Sequence, residues 1–263
     1  MKSVLFGAAA LLLILPTAGL AQDSKAKPED TEQWSPAVPV VIPAPFGSTA
    51  PPSDAIKLFD GVSLDHWETV DDGSPARWKV ADGIMTVAKG TGNIQTRQSF
   101  GSYQLHLEYR IPANITGKGQ ARGNSGLFLA STGKGDKGYE LQILDSYQND
   151  TYVNGQAGAI YKQYPPLANP VRKPGEWQAI DVVWSKPTFA PDGTVKTPAY
   201  VTAFVNGVLV QDRVALHGET LYIGKPSYSA YDRAPIKLQA HGDASAPISF
   251  RNIWVREIKD RDE

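Results

Sequence analysis

The chain predicts an all-β fold, an antiparallel jelly-roll β-sandwich. Three observations carry this. From Ile56 onward, short β-branched, aromatic and aliphatic runs recur, with Gly, Pro, Asn and Asp between them. No stretch keeps a helical apolar period through three turns. No repeat of about 40 residues, which a propeller would need, is present.

The elements follow in order. Ile56-Lys-Leu-Phe59 is a strand ended by Asp60-Gly61. Arg77-Trp-Lys-Val80 and Ile84-Met-Thr-Val87 flank Ala81-Asp82-Gly83, a tight hairpin turn. Tyr103 to Ile111 alternates: Tyr103, Leu105, Leu107 and Tyr109 share one face, and Gln104, His106, Glu108 and Arg110 the other. That second set reads as an exposed cross-strand charge group. Leu127-Phe128-Leu129 and Tyr139 to Leu144 are strands, and Gly158 to Tyr161 a third short one. Trp177 to Trp184 is a strand. Tyr200 to Val205 and Val208 to Val214 meet at Asn206-Gly207, a type I′ hairpin signal. Ile236 to Ala240 and Ser249 to Ile258 close the domain. Two long loops, Gln163 to Glu176 and the Pro-rich stretch after Trp184, lie at the surface, where sandwich folds build sites.

Three regions precede or form the domain. Residues 1–21 read as a signal peptide: Lys2, an apolar Val4 to Leu15, then Thr17-Ala-Gly-Leu-Ala21 as a cleavage region. The apolar run falls short of the roughly 20 residues of a membrane span. Residues 22–53 form a linker with seven prolines. It is expected to be extended, with Trp34 and Phe46 able to dock on the domain. Residues 54–263 form the domain. A periplasmic or secreted location follows, with no membrane contact beyond the signal segment.

Net charge is −1 and there is no cysteine. Thiol catalysis, thiolate metal sites, disulfides and a lipid-anchoring cysteine are therefore excluded. No basic stripe invites nucleic acid.

Chemistry is expected on polar strand faces. Glu140 and Gln142 stand together, opposite Tyr139, Leu141 and Ile143. Lys237, Gln239 and His241 alternate with Ile236, Leu238 and Ala240. Arg122, Asn124 and Ser125 precede another strand. If these strands adjoin, one face carries a carboxylate, an imidazole, amides and a guanidinium, groups that bind hydroxyl-rich ligands. Tyr147, Tyr152, Tyr161, Tyr164 and Trp177 are nearby aromatics. His241, beside Gly242 and Asp243, also reads as a turn cap. Arg251-Asn252 reads equally as a core anchor or a functional pair. No calcium-loop, His-Glu-x-x-His or Gly-x-Ser-x-Gly pattern occurs.

Eight short motifs occur in order: Leu58-Phe-Asp-Gly61, Gly123-Asn-Ser-Gly-Leu-Phe128, Tyr139-Glu-Leu-Gln-Ile-Leu-Asp145, Gly158-Ala-Ile-Tyr161, Gly175-Glu-Trp177, Asn206-Gly207, Leu238-Gln-Ala-His-Gly242 and Phe250-Arg-Asn-Ile253. Together they resemble the 3-keto-disaccharide hydrolase domain family over roughly Ile56 to Ile258. The resemblance implies a concanavalin A-like, laminin-G-type jelly roll. It also implies cleavage of 3-keto-glycosides, sugars first oxidised at C3 by a partner sugar 3-dehydrogenase. A C3 ketone acidifies the C2 proton; a base removes it, the C1 group leaves, and water can add back. Glu140 or His241 is expected as base or acid. Arg122, Asn124, Gln142, Gln239, Tyr161 and Asp145 are expected to hold the sugar. A divalent cation or an Arg is a candidate stabiliser of the enolate. Two alternatives stand beside this: a two-carboxylate glycosidase, with Glu108 or Asp145 partnering Glu140, and a non-catalytic lectin-like envelope domain.

Overall fold

The computed structural model describes residues 26–35, 37, 40 and 51–258. The signal-peptide reading and the docking of Phe46 lie outside the described residues.

The strands are β1 (Ile56–Phe59), β2 (Trp67–Thr69), β3 (Lys79–Ala81), β4 (Ile84–Thr86), β5 (Ile94–Thr96), β6 (Tyr103–Arg110), β7 (Ser125–Ser131), β8 (Gly138–Ile143), β9 (Trp177–Ser185), β10 (Thr188–Phe189), β11 (Val195–Thr197), β12 (Tyr200–Val205), β13 (Val208–Ala215), β14 (Lys237–Leu238) and β15 (Ser249–Glu257). The only helical turns among the described residues are short 3-10 segments. One eight-stranded sheet runs β13-β12-β9-β6-β15-β4-β3, with β1 also paired to β15. A five-stranded sheet runs β2-β5-β14-β7-β8, and β10-β11 is a separate ribbon. All ladder pairings between the named strands are antiparallel. The fold is the predicted jelly-roll sandwich.

Alternation decides what lies between the sheets. Tyr103, Leu105, Leu107 and Tyr109 of β6 and Ile180, Val182 and Trp184 of β9 form one wall of the core. Leu127 and Leu129 of β7 and Tyr139, Leu141 and Ile143 of β8 form the other. The Tyr103 hydroxyl donates to Leu129 O at 2.6 Å, joining the sheets. Tyr139 packs on Trp184 with ring centroids 5.4 Å apart. Each large side chain buried here is worth about 1.5–3 kcal/mol against exposure. The hairpin turns are as expected: Asp82 and Gly83, and Asn206 and Gly207, all have positive φ.

Two local expectations need correction. Gly158 to Tyr161 is no strand; Ile160 makes only isolated bridges to Leu141 and Tyr164. His106 and Glu108 are not an exposed charge set, since they are 4% and 2% exposed. The cause is the partner strand β15. Arg251 pairs opposite Glu108, and Trp254 opposite His106. A bulge between them gives Asn252 a φ of 46°. Arg251 Nε donates to Glu108 Oε2 at 2.5 Å and Asn252 Nδ2 to Oε1 at 2.9 Å. The His106 ring stacks on Trp254 at 5.5 Å. Arg251-Asn252 is thus an anchor for Glu108.

Candidate active site

The pocket-bearing face belongs to the five-stranded sheet and points away from the core. Register places Phe128 opposite Glu140, and Gly126 opposite Gln142. On the other side, Lys237 lies opposite Phe128. Polar side chains of the two outer strands therefore flank Phe128 and the side-chain-free Gly126 of β7 on this face.

These side chains line a cavity of about 300 Å³ with Asn124, Asp136, Glu140, Gln142, Tyr161, Thr220, Tyr222, Gln239 and His241 on its walls. Six of the eight residues singled out from the sequence are here: Glu140, His241, Asn124, Gln142, Gln239 and Tyr161. Asp136, Thr220 and Tyr222 were not foreseen. They come from loops that carry no periodic signal. Asp243 was foreseen only as a turn neighbour of His241.

Arg122 and Asp145 are placed elsewhere. Arg122 Nε pairs with Asp145 Oδ2 at 2.8 Å, and Asp145 is completely buried. Arg122 also donates to Tyr147 O. The two groups brace the start of β7 against the end of β8 and do not line the cavity. Trp177 stands on the other sheet, beneath the Arg110 and Arg251 guanidinium groups. Tyr164 is tied to Ala215 O and stacks on His217.

Glu140 is 6% exposed. Burial pushes its carboxyl up to about 8; Asp136 adds to the rise and Lys237 opposes it. The carboxyl is therefore protonated at neutral pH. Room for it comes from Gly126, because a Cβ there would meet Glu140 Oε1 at 2.3 Å. The Glu140 backbone N–H donates to Thr220 Oγ1 at 3.1 Å.

Lys237 is fully buried. Its Nζ donates to the carbonyls of Gly133, Gly135 and Lys137 at 3.2, 2.9 and 2.6 Å, and lies 4.5 Å from the Phe128 ring centroid. It thereby fixes the loop that brings Asp136 to the cavity. Burial lowers its ammonium to about 8, against the pull of Asp136 and Glu140.

His241 Nδ1 lies 2.8 Å from Asp243 Oδ2. A weaker contact, from the Asp243 backbone N–H at 3.3 Å, competes for the same nitrogen. The shorter, charge-assisted bond sets the tautomer: Nδ1 carries the proton and Nε2 the lone pair. Burial works to raise the Asp243 carboxyl, but hydrogen bonds from Ser245 and His241 outweigh it and hold it low. The imidazole thus has a permanently charged orienting partner.

Two amides complete the cavity. Gln142 Nε2 donates to Asn124 Oδ1 at 3.1 Å and to Gln120 Oε1 at 3.2 Å. That leaves Gln142 Oε1 and Gln239 Oε1 buried with no protein donor. Buried acceptors of this kind are costly unless a ligand or solvent meets them. Tyr161 keeps its proton, since burial and the Tyr152 hydroxyl at 2.8 Å raise it well above the usual phenol range.

No group of three His, Asp or Glu side chains able to hold a metal ion occurs among the described residues. A larger hollow, about 540 Å³, lies beside Glu108, Arg251 and Asn252 on the opposite sheet. Burial opposes ionisation of Glu108, yet bonds from His106, Asn252 and Arg251 prevail and hold it low. With both oxygens occupied, it is poorly placed to exchange protons with a ligand.

The 3-keto-alpha-glucoside-1,2-lyase-like domain matches residues 54–256. The chain belongs to this family. A crystal structure from Parabacteroides distasonis ATCC 8503, a provisionally assigned glycosyl hydrolase, is 48% identical. It covers 88% of this chain and 96% of its own, with a TM-score of 0.75. A second such structure from that organism is 20% identical, covers 77% of this chain and 93% of its own, and has a TM-score of 0.55, a likeness of fold. No curated protein matches the chain. Family membership and the nearly half-identical relative make this a carbohydrate-active domain of the lyase-like family.

Proposed function

We propose that this member of the lyase-like family cleaves 3-keto-glycosides by elimination across C1 and C2. One observation carries the reading. A carboxyl that stays protonated at neutral pH and an Asp-oriented imidazole share one sugar-sized cavity. Groups whose environments push their protonation in different directions divide acid and base roles between them.

His241 Nε2 takes the C2 proton, made acidic by the C3 ketone. The C2 electron pair forms the C1–C2 double bond as the C1–O bond breaks. Glu140 gives its proton to the departing oxygen. Negative charge gathering on the C3 oxygen meets donors from the cavity wall, with the Tyr161 hydroxyl and the Gln239 amide in reach of the same space. Gln142 Oε1 and Gln239 Oε1 accept from sugar hydroxyls. Water adding to C1, with a proton returned to C2, gives net hydrolysis. The substrate comes from a sugar 3-dehydrogenase, and residues 1–21 send the protein to the periplasm or outside the cell.

The test is direct. Incubate the pure protein with 3-keto-trehalose and 3-keto-glucosides, with and without chelator, and identify products. Free 3-keto-glucose or its 1,2-unsaturated product supports the proposal. Sugar binding with no turnover of any keto-sugar overturns it and leaves a lectin.

A further inference from the structure

We propose that the segment just before the family domain builds a second sugar position beside the cavity. Trp34 and Tyr222 form its stacking surface, and it takes the leaving-group ring of a disaccharide. The inference rests on the carbohydrate reading above.

The segment lies outside residues 54–256, yet the domain is built to hold it. Pro28–Thr31 forms a 3-10 turn. Asn154, completely buried, uses both ends of its amide on this segment: Nδ2 donates to Thr31 O at 2.9 Å, and Oδ1 accepts from Gln33 N at 3.1 Å. Val153 N donates to Gln33 O at 2.5 Å. Lys162, 9% exposed, donates from Nζ to Pro28 O at 2.7 Å and to Tyr222 O at 3.0 Å. One buried ammonium thus ties the segment to a residue of the cavity wall. Without the segment these groups would lose their protein partners.

The fastening links Trp34 to the cavity wall through ring contacts. Trp34 meets Tyr152 edge-on at 6.2 Å, and the Tyr152 hydroxyl is 2.8 Å from that of Tyr161, inside the cavity. Lys162 Nζ lies 4.8 Å from the Tyr222 ring centroid and 5.4 Å from that of Tyr152. Trp34 and Tyr222 are 61% and 60% exposed, so each leaves a large ring face open, and Tyr222 also lines the cavity. A cavity of about 300 Å³ is at the small end of ligand sites, which run from about 300 to 1,000 Å³. It suits one ring, so the second ring of a disaccharide must rest outside. Rings of the Trp and Tyr type are the natural surface for its C–H face.

Trp34→Ala tests this, with circular dichroism to confirm folding. The substrates are 3-keto-trehalose and methyl 3-keto-α-glucoside, which lacks a second ring. Trp34→Ala should raise KM for the disaccharide by about tenfold, the effect of one aromatic contact, with kcat unchanged. The methyl glycoside should be handled as in wild type. Equal losses on both substrates, or none, overturn the proposal. If wild type turns over neither, the functional reading fails separately. The subsite is then read by saturation-transfer NMR with trehalose and methyl α-glucoside. Second-ring contacts present in wild type and lost in Trp34→Ala uphold it; their absence in wild type refutes it.

Discussion

Glu140→Gln should make the protein more stable in mild alkali while removing its activity. The native carboxyl titrates at about 8, against 4.5 for a free glutamate. Its folded value is raised, so its stabilising contribution is complete below the unfolded value and is lost as pH climbs toward 8. Over that window the unfolded chain sheds the proton and the folded chain keeps it. Integrating between pH 5 and pH 8.5 gives a loss of about 4 kcal/mol. Against a typical total of about 5–15 kcal/mol, that is a large share. Glutamine has nearly the same shape and carries no charge, so it escapes the loss. Urea unfolding of both proteins at pH 5 and pH 8.5 measures the difference. The gap between variant and wild type should shift by about 4 kcal/mol in the variant's favour at the higher pH. His106, raised to about 9 by Asp181 and Glu108 against the pull of burial, also withdraws stability as pH rises, but equally in both proteins. Parallel pH dependences would mean that Glu140 is ionised at neutrality, and the acid role assigned to it would fall.

Three further outcomes are expected. His241→Asn should lower kcat on a 3-keto-glucoside by about 10²- to 10⁴-fold, and Asp243→Asn by less, since it removes only the orienting partner; steady-state kinetics decide this. Gly126→Ala puts a methyl group where Glu140 Oε1 now lies, 2.3 Å from the ideal Cβ. Turnover should fall by about 100-fold with the fold intact by circular dichroism, because the carboxyl must swing away. Lys237→Met should cost about 2–5 kcal/mol in denaturant unfolding, since three carbonyls of the Asp136 loop lose their donor.

Much of this was legible in the chain before folding. The two-residue period put Glu140 with Gln142 and set them against Tyr139, Leu141 and Ile143. The same rule carried Gln239 and His241 to that face. It failed where polar groups pair with each other. Arg122 and Asp145 have the right chemistry for a sugar, but periodicity cannot tell that they meet at 2.8 Å and leave the cavity to others. It failed at His106 and Glu108 because a face is exposed only if nothing covers it, and the β15 bulge does. Asp136, Thr220 and Tyr222 arrive from loops set by tertiary contacts such as the Lys237 anchor, for which sequence has no local signature.

The position of β15 has a consequence for how the chain assembles. The last strand lies in the interior of the large sheet, and β1, β3 and β4 reach the rest of that sheet only through it. Those three strands therefore cannot join the large sheet until translation has passed Glu257. Collapse should be late and governed by distant partners, with slow refolding in vitro. A chain halted a dozen residues early would have a split sheet, with two open edges where one seam should be.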